Sequence, residues 1–281
     1  MQFGLPYGVA NKHGVLSFEE VADILGYARA AGIDLLDTAV SYGDSESRLG
    51  RAGVDSFQIV SKLPSMPEEV QNATDWLKNE LHASLFRLRV EKLHGLLLHA
   101  PGQLLAPRGD ELWGALQEVK KQGLVQKVGI SVYGPSELDA IMPLYPADIV
   151  QAPLSLVDRR LVETGWLRRL HERGTEVHVR SVFLQGLLLL PQSEIPSKFD
   201  KWRPLWDHWH EWLRQEGASA QNACLAFVAS FPHVDRVVVG VDNLGQLRDL
   251  VAASESCHAA SWPAIGSCDN ELINPSLWHK L

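Results

Sequence analysis

The sequence predicts a parallel α/β fold, and within that class a single (β/α)8 TIM barrel. Three observations lead there. Short runs rich in Val, Ile and Leu recur along the 281 residues. These runs are continuously apolar rather than alternating, as expected of parallel strands that are covered on both faces. Helical patterns separate most neighbouring runs, and we see no repeat, linker or antiparallel edge that would indicate a second unit.

Seven of these runs are predicted to be strands, and each is short enough to span a barrel wall once. In chain order they are IDLLDTA (33–39), FQIVSKL (57–63), LHGLLLHA (93–100), VQKVGISV (125–132), DIVQAP (148–153), EVHVRSVF (176–183) and RVVVGVD (236–242).

The segments between them carry the 3.6-residue period of amphipathic helices. FEEVADILGYARAAG (18–32) has this period and ends at Gly32, a good helix stop. In 202–217, Trp202, Trp206 and Trp209 fall on one helical stripe. The other predicted helices are 68–88, 110–123, 135–145, 164–174 and 244–254.

Both ends of the chain depart from a regular barrel. Upstream of the first helix only MQFGLPYGVANKHGV remains, enough for a strand of three or four residues. We therefore expect the first strand to be truncated at the N-terminus. The tail, 255–281, has no clear period, and we expect it to pack on the barrel or near its pocket. All of 1–281 then forms one domain.

Composition excludes several classes of function. The net charge of −8 favours neither nucleic acid nor an anionic membrane as a partner. No basic flank and apolar core mark a signal peptide, and no apolar run approaches a membrane span. The three cysteines, Cys224, Cys257 and Cys268, form no C-x-x-C pair. We therefore expect a cytoplasmic protein with neither disulfides nor a structural zinc.

Ionisable residues end three successive predicted strands, where parallel α/β barrels collect their chemistry. These residues are Asp37, Lys62 and His99, and Tyr42 follows the first of these strands. A phenol titrates near pH 10, so Tyr42 needs a neighbouring cation to exchange protons at neutral pH. Lys62 supplies that cation, a carboxylate holds it charged, and an imidazole can orient a substrate oxygen.

Each residue taken alone has an ordinary structural interpretation. Asp37 would be a helix cap or a strand-end ion pair, Lys62 a surface lysine, His99 a satisfied polar group and Tyr42 a packing residue. Their joint occurrence at adjoining strand ends instead favours a proton-transfer site. Ser45 is a candidate N-cap for the helix behind Tyr42.

Several motifs resemble, in order and spacing, those of the aldo-keto reductases. They are DTAVSYG, IVSKLP, LLLHAP, the GIS at 129–131, Gln151 and GVDNLGQL, and the resemblance runs from residue 2 to about 254. It implies reduction of a small-molecule aldehyde or ketone with a nicotinamide cofactor, NADPH being expected and NADH the alternative. Tyr42 would be the general acid, Lys62 would lower its pKa, Asp37 would pair with Lys62, and His99 would orient the carbonyl.

The resemblance also implies a cofactor site without a Rossmann domain. Ser131 and Gln151 match the positions that hold the carboxamide, and the loop in 179–186 matches the one that binds the pyrophosphate. The full set of matched cofactor positions is Ser131, Gln151, Arg180, Ser181, Gln185, Gly186, Gly240, Asp242, Asn243 and Gln246.

The chain departs from the family pattern at the cofactor. Val132 stands where an asparagine is usual, and Arg180 stands where an aromatic ring usually stacks on the nicotinamide. The positions that often bind a 2′-phosphate with basic residues here read Gly240, Val241 and Gln246.

Other functions remain open at this stage. Lys62 would serve as a Schiff-base nucleophile in a lyase or aldolase. A nucleotide-binding regulatory barrel, or a folded barrel without a cofactor site, would also carry these motifs. DHWHEW (207–212) has metal-ligand spacing, but a solvated helix face explains it more simply, and we expect no metal.

Overall fold

The computed structural model describes residues 3–4, 14–255 and 261–281, and its centre is one curled parallel sheet. The seven described strands pair in sequence order, each with the next. This is a truncated α/β barrel, so the predicted architecture is confirmed. The strands are β1 (Leu35–Asp37), β2 (Gln58–Leu63), β3 (Leu93–Leu98), β4 (Val125–Ser131), β5 (Ile149–Pro153), β6 (Glu176–Arg180) and β7 (Arg236–Val237).

Helices connect the strands. They are α1 (Phe18–Ala30), α2 (Ser45–Ala52), α3 (Ala73–Leu88), α4 (Gly109–Lys121), α5 (Pro135–Ile141), α6 (Arg160–Glu163), α7 (Trp166–Glu172), α8 (Arg203–Glu216), α9 (Ala220–Ala229), α10 (Leu244–Glu255) and α11 (Asn270–Ile273). Short 3-10 helices cover Pro101–Leu105, Leu187–Leu189, Gln192–Glu194, Ser197–Trp202 and Pro275–Lys280. Within the described ranges, no helix is both long and apolar enough to cross a bilayer.

The first helix illustrates how local sequence sets an element's bounds. Ser17 caps α1 by accepting the Glu20 N–H, and the Glu20 carboxylate accepts the Ser17 N–H in return. This capping box satisfies two backbone donors that the first turn leaves open. The chain leaves the helix through Gly32, whose φ of 76° is the left-handed conformation that glycine adopts readily.

Three expectations differ from the structure or fall outside the described residues, and one helix was not predicted. The predicted strand 236–242 is regular only over the two residues of β7. The short first strand predicted at the N-terminus lies mostly outside the described residues, which in that part of the chain include only a turn at 3–4. The sequence reading missed α9, because AQNACLAFVA is apolar on nearly every face and shows no clean period. Ser45 is the first residue of α2 rather than its cap, and its hydroxyl lies 3.2 Å from that of Thr38.

An apolar layer lies inside the sheet. Val60, Leu97 and Ile149 form a small buried cluster with Leu35, separate from the larger core between strands and helices. Gly129 faces this layer, since a Cβ there would lie 2.7 Å from Cδ2 of Leu97. Because side chains on one face of a strand recur every second residue, the next inward positions of β2 and β5 lie one step nearer the carboxyl ends. This apolar layer therefore forms the floor of the site described below.

A charged group lies at the amino-terminal end of the strands. Glu176, the first residue of β6, is 2.8 Å from Nε2 of His178 and 3.5 Å from Nε2 of His94, and it also pairs with Lys127. Hydrogen bonds from these partners hold the pKa of Glu176 far below its usual value. This end of the barrel is therefore held by electrostatics among β3, β4 and β6.

An ion pair joins the two outer strands of the described sheet. Arg236 Nη1, at the start of β7, lies 2.7 Å from Oδ1 of Asp34, which precedes β1. Outside the sheet α1 packs against α10, with the Arg248 guanidinium 5.5 Å from the Tyr27 ring centroid. The sheet thus curls far enough for a side-chain ion pair to link its two edges.

The described part of the tail, 261–281, folds back on the barrel. Arg159, which precedes α6, donates to the Pro263 carbonyl over 2.5 Å. The Trp202 indole donates to the Asp269 carboxylate over 3.1 Å. These contacts attach the tail to the segment after β5 and to the start of α8, next to the carboxyl ends of the strands.

A buried carboxylate fixes α2 against its neighbours. Glu46 is 2% exposed and accepts hydrogen bonds of 2.6 Å each from the hydroxyls of Ser61 in β2 and Ser84 in α3. Arg87 of α3 completes the group at 2.8 Å from Nε and 2.7 Å from Nη2. Because α2 follows the Tyr42 loop directly, this network holds that loop against the strand that carries Lys62.

Glu46→Ala should lower the free energy of unfolding by about 3–5 kcal/mol, because it leaves Arg87 and two buried hydroxyls without their acceptor. Urea denaturation measures the change. Glu216→Ala, an exposed glutamate at the end of α8, is the matched control and should stay within about 0.5 kcal/mol of the parent. A loss below about 1 kcal/mol in Glu46→Ala would contradict the assigned role.

Candidate active site

A buried ion pair lies at the carboxyl ends of β1 and β2. Lys62 Nζ is 2.5 Å from Oδ1 of Asp37 and donates to the Thr38 carbonyl over 2.9 Å. Lys62 is 1% exposed and Asp37 is 7% exposed. Since β1 and β2 are neighbours in the sheet, the two strand-end charges expected from the sequence meet directly.

The pKa values of this pair reflect burial and mutual attraction. Burial alone would raise the pKa of Asp37, but the Lys62 ammonium and hydrogen bonds to the carboxylate leave it below its usual value. Burial lowers the pKa of Lys62, the Asp37 carboxylate opposes that shift, and the Arg180 cation adds to it. With the carboxylate at 2.5 Å, the pair is an ammonium held by a carboxylate.

Gln151 extends the pair across the barrel. Its Nε2 donates to Oδ2 of Asp37 over 2.6 Å, so both carboxylate oxygens are engaged. Gln151 lies opposite Ser131 in the β4–β5 register, and both are buried. Two predicted carboxamide positions are therefore adjacent, and one also supports Asp37.

Tyr42 lies in the loop between β1 and α2, over the Lys62 ammonium. Nζ of Lys62 is 5.2 Å from the centroid of its ring. The loop is bonded to β2, since the Val40 N–H donates to the Lys62 carbonyl over 3.1 Å. Gly4 packs on the same loop, because a Cβ there would lie 2.3 Å from the Tyr42 carbonyl oxygen. The backbone thus sets the position of the phenol.

His99 follows β3 and faces Tyr42. The two rings meet edge to face with centroids 5.7 Å apart, and the His99 N–H donates to the Leu63 carbonyl over 3.1 Å. Burial, together with the Lys62 and Arg180 cations, lowers the pKa of His99 to about 4. The imidazole is therefore neutral at physiological pH and can donate from only one ring nitrogen.

Ser41 is a neighbour of His99 that the sequence analysis did not single out. Its Oγ lies 3.1 Å from Nδ1 of His99. A hydroxyl that donates to Nδ1 leaves the ring proton on Nε2, so Ser41 can set the tautomer. Ser41 and His99 are 58 residues apart in sequence, so no local pattern predicts their contact. The one available signal is that Ser41 directly precedes Tyr42.

Arg180 ends β6 at the mouth of the barrel. Its Nη2 donates to the Val132 carbonyl over 2.9 Å and its Nη1 to Oγ of Ser181 over 3.2 Å. The guanidinium carbon is 4.8 Å from the ring centroid of Tyr133. Arg180 is thus fixed on one side by protein groups, in the place where the family pattern would have an aromatic ring.

The loop after β6 has an unusual backbone. Leu184, Gln185 and Gly186 are successive left-handed residues, with φ of 48°, 54° and 88°, and Ser181 has a φ of 61°. Unfavourable φ values at non-glycine residues concentrate at functional sites, and turns of this kind can present backbone N–H groups to an anion. Within the loop the Leu184 and Gly186 N–H groups already donate to the Ser181 and Phe183 carbonyls, so the pyrophosphate site that the resemblance implies stays a prediction.

The remaining predicted cofactor positions form the start of α10. The Asp242 N–H donates to Oε1 of Gln246 over 2.7 Å, and the Gln246 N–H donates to Oδ1 of Asn243 over 2.8 Å. Gly240 precedes them and is exposed. These side chains cap their own helix, which leaves fewer free donors there for a phosphate.

The arrangement can donate a proton and bind an oxygen. It combines a phenol, an ammonium held by a carboxylate, and a neutral imidazole around one opening. Among residues 3–4, 14–255 and 261–281, no group of three or more His, Cys, Asp or Glu side chains is placed to hold a metal ion.

Comparisons with known proteins indicate one enzyme family. A model of the aldo/keto reductase family matches residues 1–269. An aldo-keto reductase of Mycolicibacterium smegmatis is 31% identical over 137 residues, which cover 47% of this chain and 46% of that protein. The uncharacterized oxidoreductase YqkF of Bacillus subtilis is 24% identical over 253 residues, covering 83% and 81%. The chain matches about half the length of the Mycolicibacterium protein.

Solved structures match the fold. The apo form of an aldo-keto reductase from Bacillus halodurans superposes with a TM-score of 0.71 at 22% identity, covering 88% of this chain and 84% of that one. An aldo-keto reductase described as putative from Pseudomonas aeruginosa gives 0.67 at 23% identity, covering 91% and 87%. At these identities the likeness concerns the fold.

We expect His99 to titrate with a midpoint at about pH 4 and to hold its proton on Nε2 above that pH. Heteronuclear NMR of ¹⁵N-histidine-labelled protein measures both, with His99→Gln assigning the signal. Since His99 titrates near pH 6.5 when unfolded, its contribution to folded-state stability falls as pH drops from about 6.5 to 4.

Ser41→Ala should shift the His99 tautomer ratio, because the partner of Nδ1 is removed. Ser254→Ala, an exposed serine that donates to the Val251 carbonyl, is the control and should leave the ratio unchanged. Identical His99 spectra in the Ser41 variant and the parent would show that Ser41 does not set the tautomer.

Proposed function

The chain belongs to the aldo/keto reductase family, and from that premise we propose that it reduces an aldehyde or ketone to an alcohol with NAD(P)H, using Tyr42 as the general acid. One observation carries the proposal. The Lys62 ammonium is buried between the Asp37 carboxylate, 2.5 Å away, and the Tyr42 ring, 5.2 Å away. A cation in that position stabilises the phenolate that proton donation leaves behind.

Each member of the group has a distinct part in the reaction. A bound nicotinamide would supply the hydride for the carbonyl carbon. Tyr42 gives its phenolic proton to the carbonyl oxygen as negative charge develops there. His99, neutral because its pKa is about 4, donates a hydrogen bond that orients that oxygen. Asp37 keeps Lys62 charged and in place.

The cofactor would lie over the strand ends. Ser131 and Gln151 would hold the carboxamide, and Gln151 can do so through Oε1 while its Nε2 still donates to Asp37. The left-handed loop 184–186 would take the pyrophosphate. The adenosine end would contact Gly240, Asp242, Asn243 and Gln246.

Two of the three alternative hypotheses have less support. A Schiff-base lysine must be neutral and accessible, whereas Nζ of Lys62 is 1% exposed and donates to Asp37 and Thr38. A regulatory barrel would bind the nucleotide without turnover. It would not need a proton donor opposite a neutral imidazole.

We propose NADPH as the cofactor, with weak discrimination against NADH. No lysine or arginine lies in 240–247, and Arg248 packs over Tyr27. Quenching of tryptophan fluorescence should give Kd values for NADPH and NADH that differ by less than about tenfold, because charge-assisted bonds to the 2′-phosphate are few. A ratio above about a hundredfold would show that a cation reaches the phosphate.

Tyr42→Phe should lower kcat for a reactive aldehyde such as 4-nitrobenzaldehyde by about 10²–10⁴-fold, since only the transferable proton is removed. The Kd of the cofactor should change by less than about twofold. Steady-state absorbance of the reduced cofactor measures the first quantity and fluorescence titration the second.

Tyr27→Phe removes a phenol from α1 and should retain parent activity. Undiminished turnover in Tyr42→Phe would refute the assignment of the acid. Tight cofactor binding by a parent protein that reduces no carbonyl compound would favour the regulatory hypothesis.

A further inference from the structure

Arg180 is a cation at the mouth of the candidate active site. It lies opposite Pro153 in the β5–β6 register, two residues beyond Gln151 toward the carboxyl ends. Because inward positions recur every second residue, its side chain starts one layer above the contact between Gln151 and Asp37. Its charge reaches the site, since it lowers the pKa of both Lys62 and His99.

Arg180 has no carboxylate partner within the part of the chain that the structure describes. Its hydrogen bonds there go to the Val132 carbonyl and the Ser181 hydroxyl, both neutral. By contrast, Arg160 beside it is paired with Asp158 at 2.8 Å. A partly buried cation that lacks an anion is unfavourable, and an anionic ligand would relieve the cost.

The charges of Asp37, Lys62, His99 and Arg180 sum to one positive charge. Asp37 and Lys62 compensate one another at 2.5 Å, and His99 is neutral, so Arg180 contributes an excess positive charge. The whole chain carries −8, which makes a cationic opening a local feature rather than a property of the surface. A guanidinium has five N–H donors, and two are used here, so donors remain for a ligand.

We propose that Arg180 binds a carboxylate on the substrate, and that the protein therefore reduces carbonyl compounds that carry a carboxylate. The inference rests on the proposed carbonyl reduction and adds the substrate class to it. Tyr133 and the Val132 carbonyl fix the guanidinium, so its remaining donors are held in one orientation before a ligand binds. A phosphate of the nucleotide is the other anion that the same chemistry would recognise.

A matched pair of substrates distinguishes binding of a substrate carboxylate from binding of a nucleotide phosphate. We would compare kcat/KM for 4-carboxybenzaldehyde and for its methyl ester in the parent, Arg180→Gln and Arg180→Lys. The parent should prefer the carboxylate by roughly tenfold or more, Arg180→Gln should lose that preference, and Arg180→Lys should keep part of it. Both substrates are compared at saturating cofactor for each variant, so that a change in the cofactor Kd does not alter the preference.

Arg173→Gln is the matched control. Arg173 lies before β6, at the end of that strand away from the site; it donates to the Met142 carbonyl and lies 5.9 Å from the Trp166 ring. Arg173→Gln changes the net charge by the same amount as Arg180→Gln. It should leave the preference for the carboxylate substrate intact. If both variants lost the carboxylate preference to a similar extent, the preference would come from long-range charge rather than from Arg180, and the proposal would be overturned.

Binding tests Arg180 independently of turnover. Isothermal titration calorimetry with 4-(hydroxymethyl)benzoate and its methyl ester, with oxidised cofactor present, should show the same preference and its loss in Arg180→Gln. Carboxylate-selective binding without reduction of either aldehyde would refute the proposed function but retain this site. Absence of selectivity in the parent, or an Arg180→Gln variant impaired only in cofactor Kd, would overturn the proposal.

Discussion

The ion pair between Lys62 and Asp37 is the interaction on which the rest of the site depends. Two charges removed from water destabilise a fold unless each compensates the other and the remaining donors and acceptors are bonded. Here the Thr38 carbonyl and the Gln151 amide complete that bonding. As a result the pair is fully bonded only where β1, β2 and β5 meet.

The position of Tyr42 follows from the same strands. Its loop is tied to β2 by the bond from the Val40 N–H to the Lys62 carbonyl, and the helix after it is held by Glu46 through Ser61. Ser61 and Lys62 are adjacent residues that face opposite sides of β2. One strand therefore anchors the phenol's loop from outside and places the ammonium beneath its ring from inside.

The charges of the site determine which groups can carry a proton. Burial, together with the Lys62 and Arg180 cations, lowers the pKa of His99, so the neutral imidazole can serve as a hydrogen-bond donor. The apolar layer of Val60, Leu97 and Ile149 separates this end from the charged group around Glu176.

The fold class and the core of the site were predictable from sequence, because both depend on local order along the chain. Apolar runs separated by helical patterns indicate parallel strands, and Asp37, Lys62 and His99 occupy strand ends whatever their partners are. The segment α9 was missed because a helix that is apolar on most faces has no period to read.

Contacts between distant segments were decided only by the tertiary structure. Gln151 reaches Asp37 across 114 residues, Ser41 reaches His99 across 58, and Arg180 bonds the backbone of Val132. Strand order determines which ends adjoin, but the curl of the sheet and the side-chain rotamers determine which atoms meet. The sequence by itself therefore determined the barrel and the candidate residues that its strand ends bring together. The tertiary structure decided how those residues are held, because hydrogen bonds at about 3 Å depend on positions that no local pattern specifies.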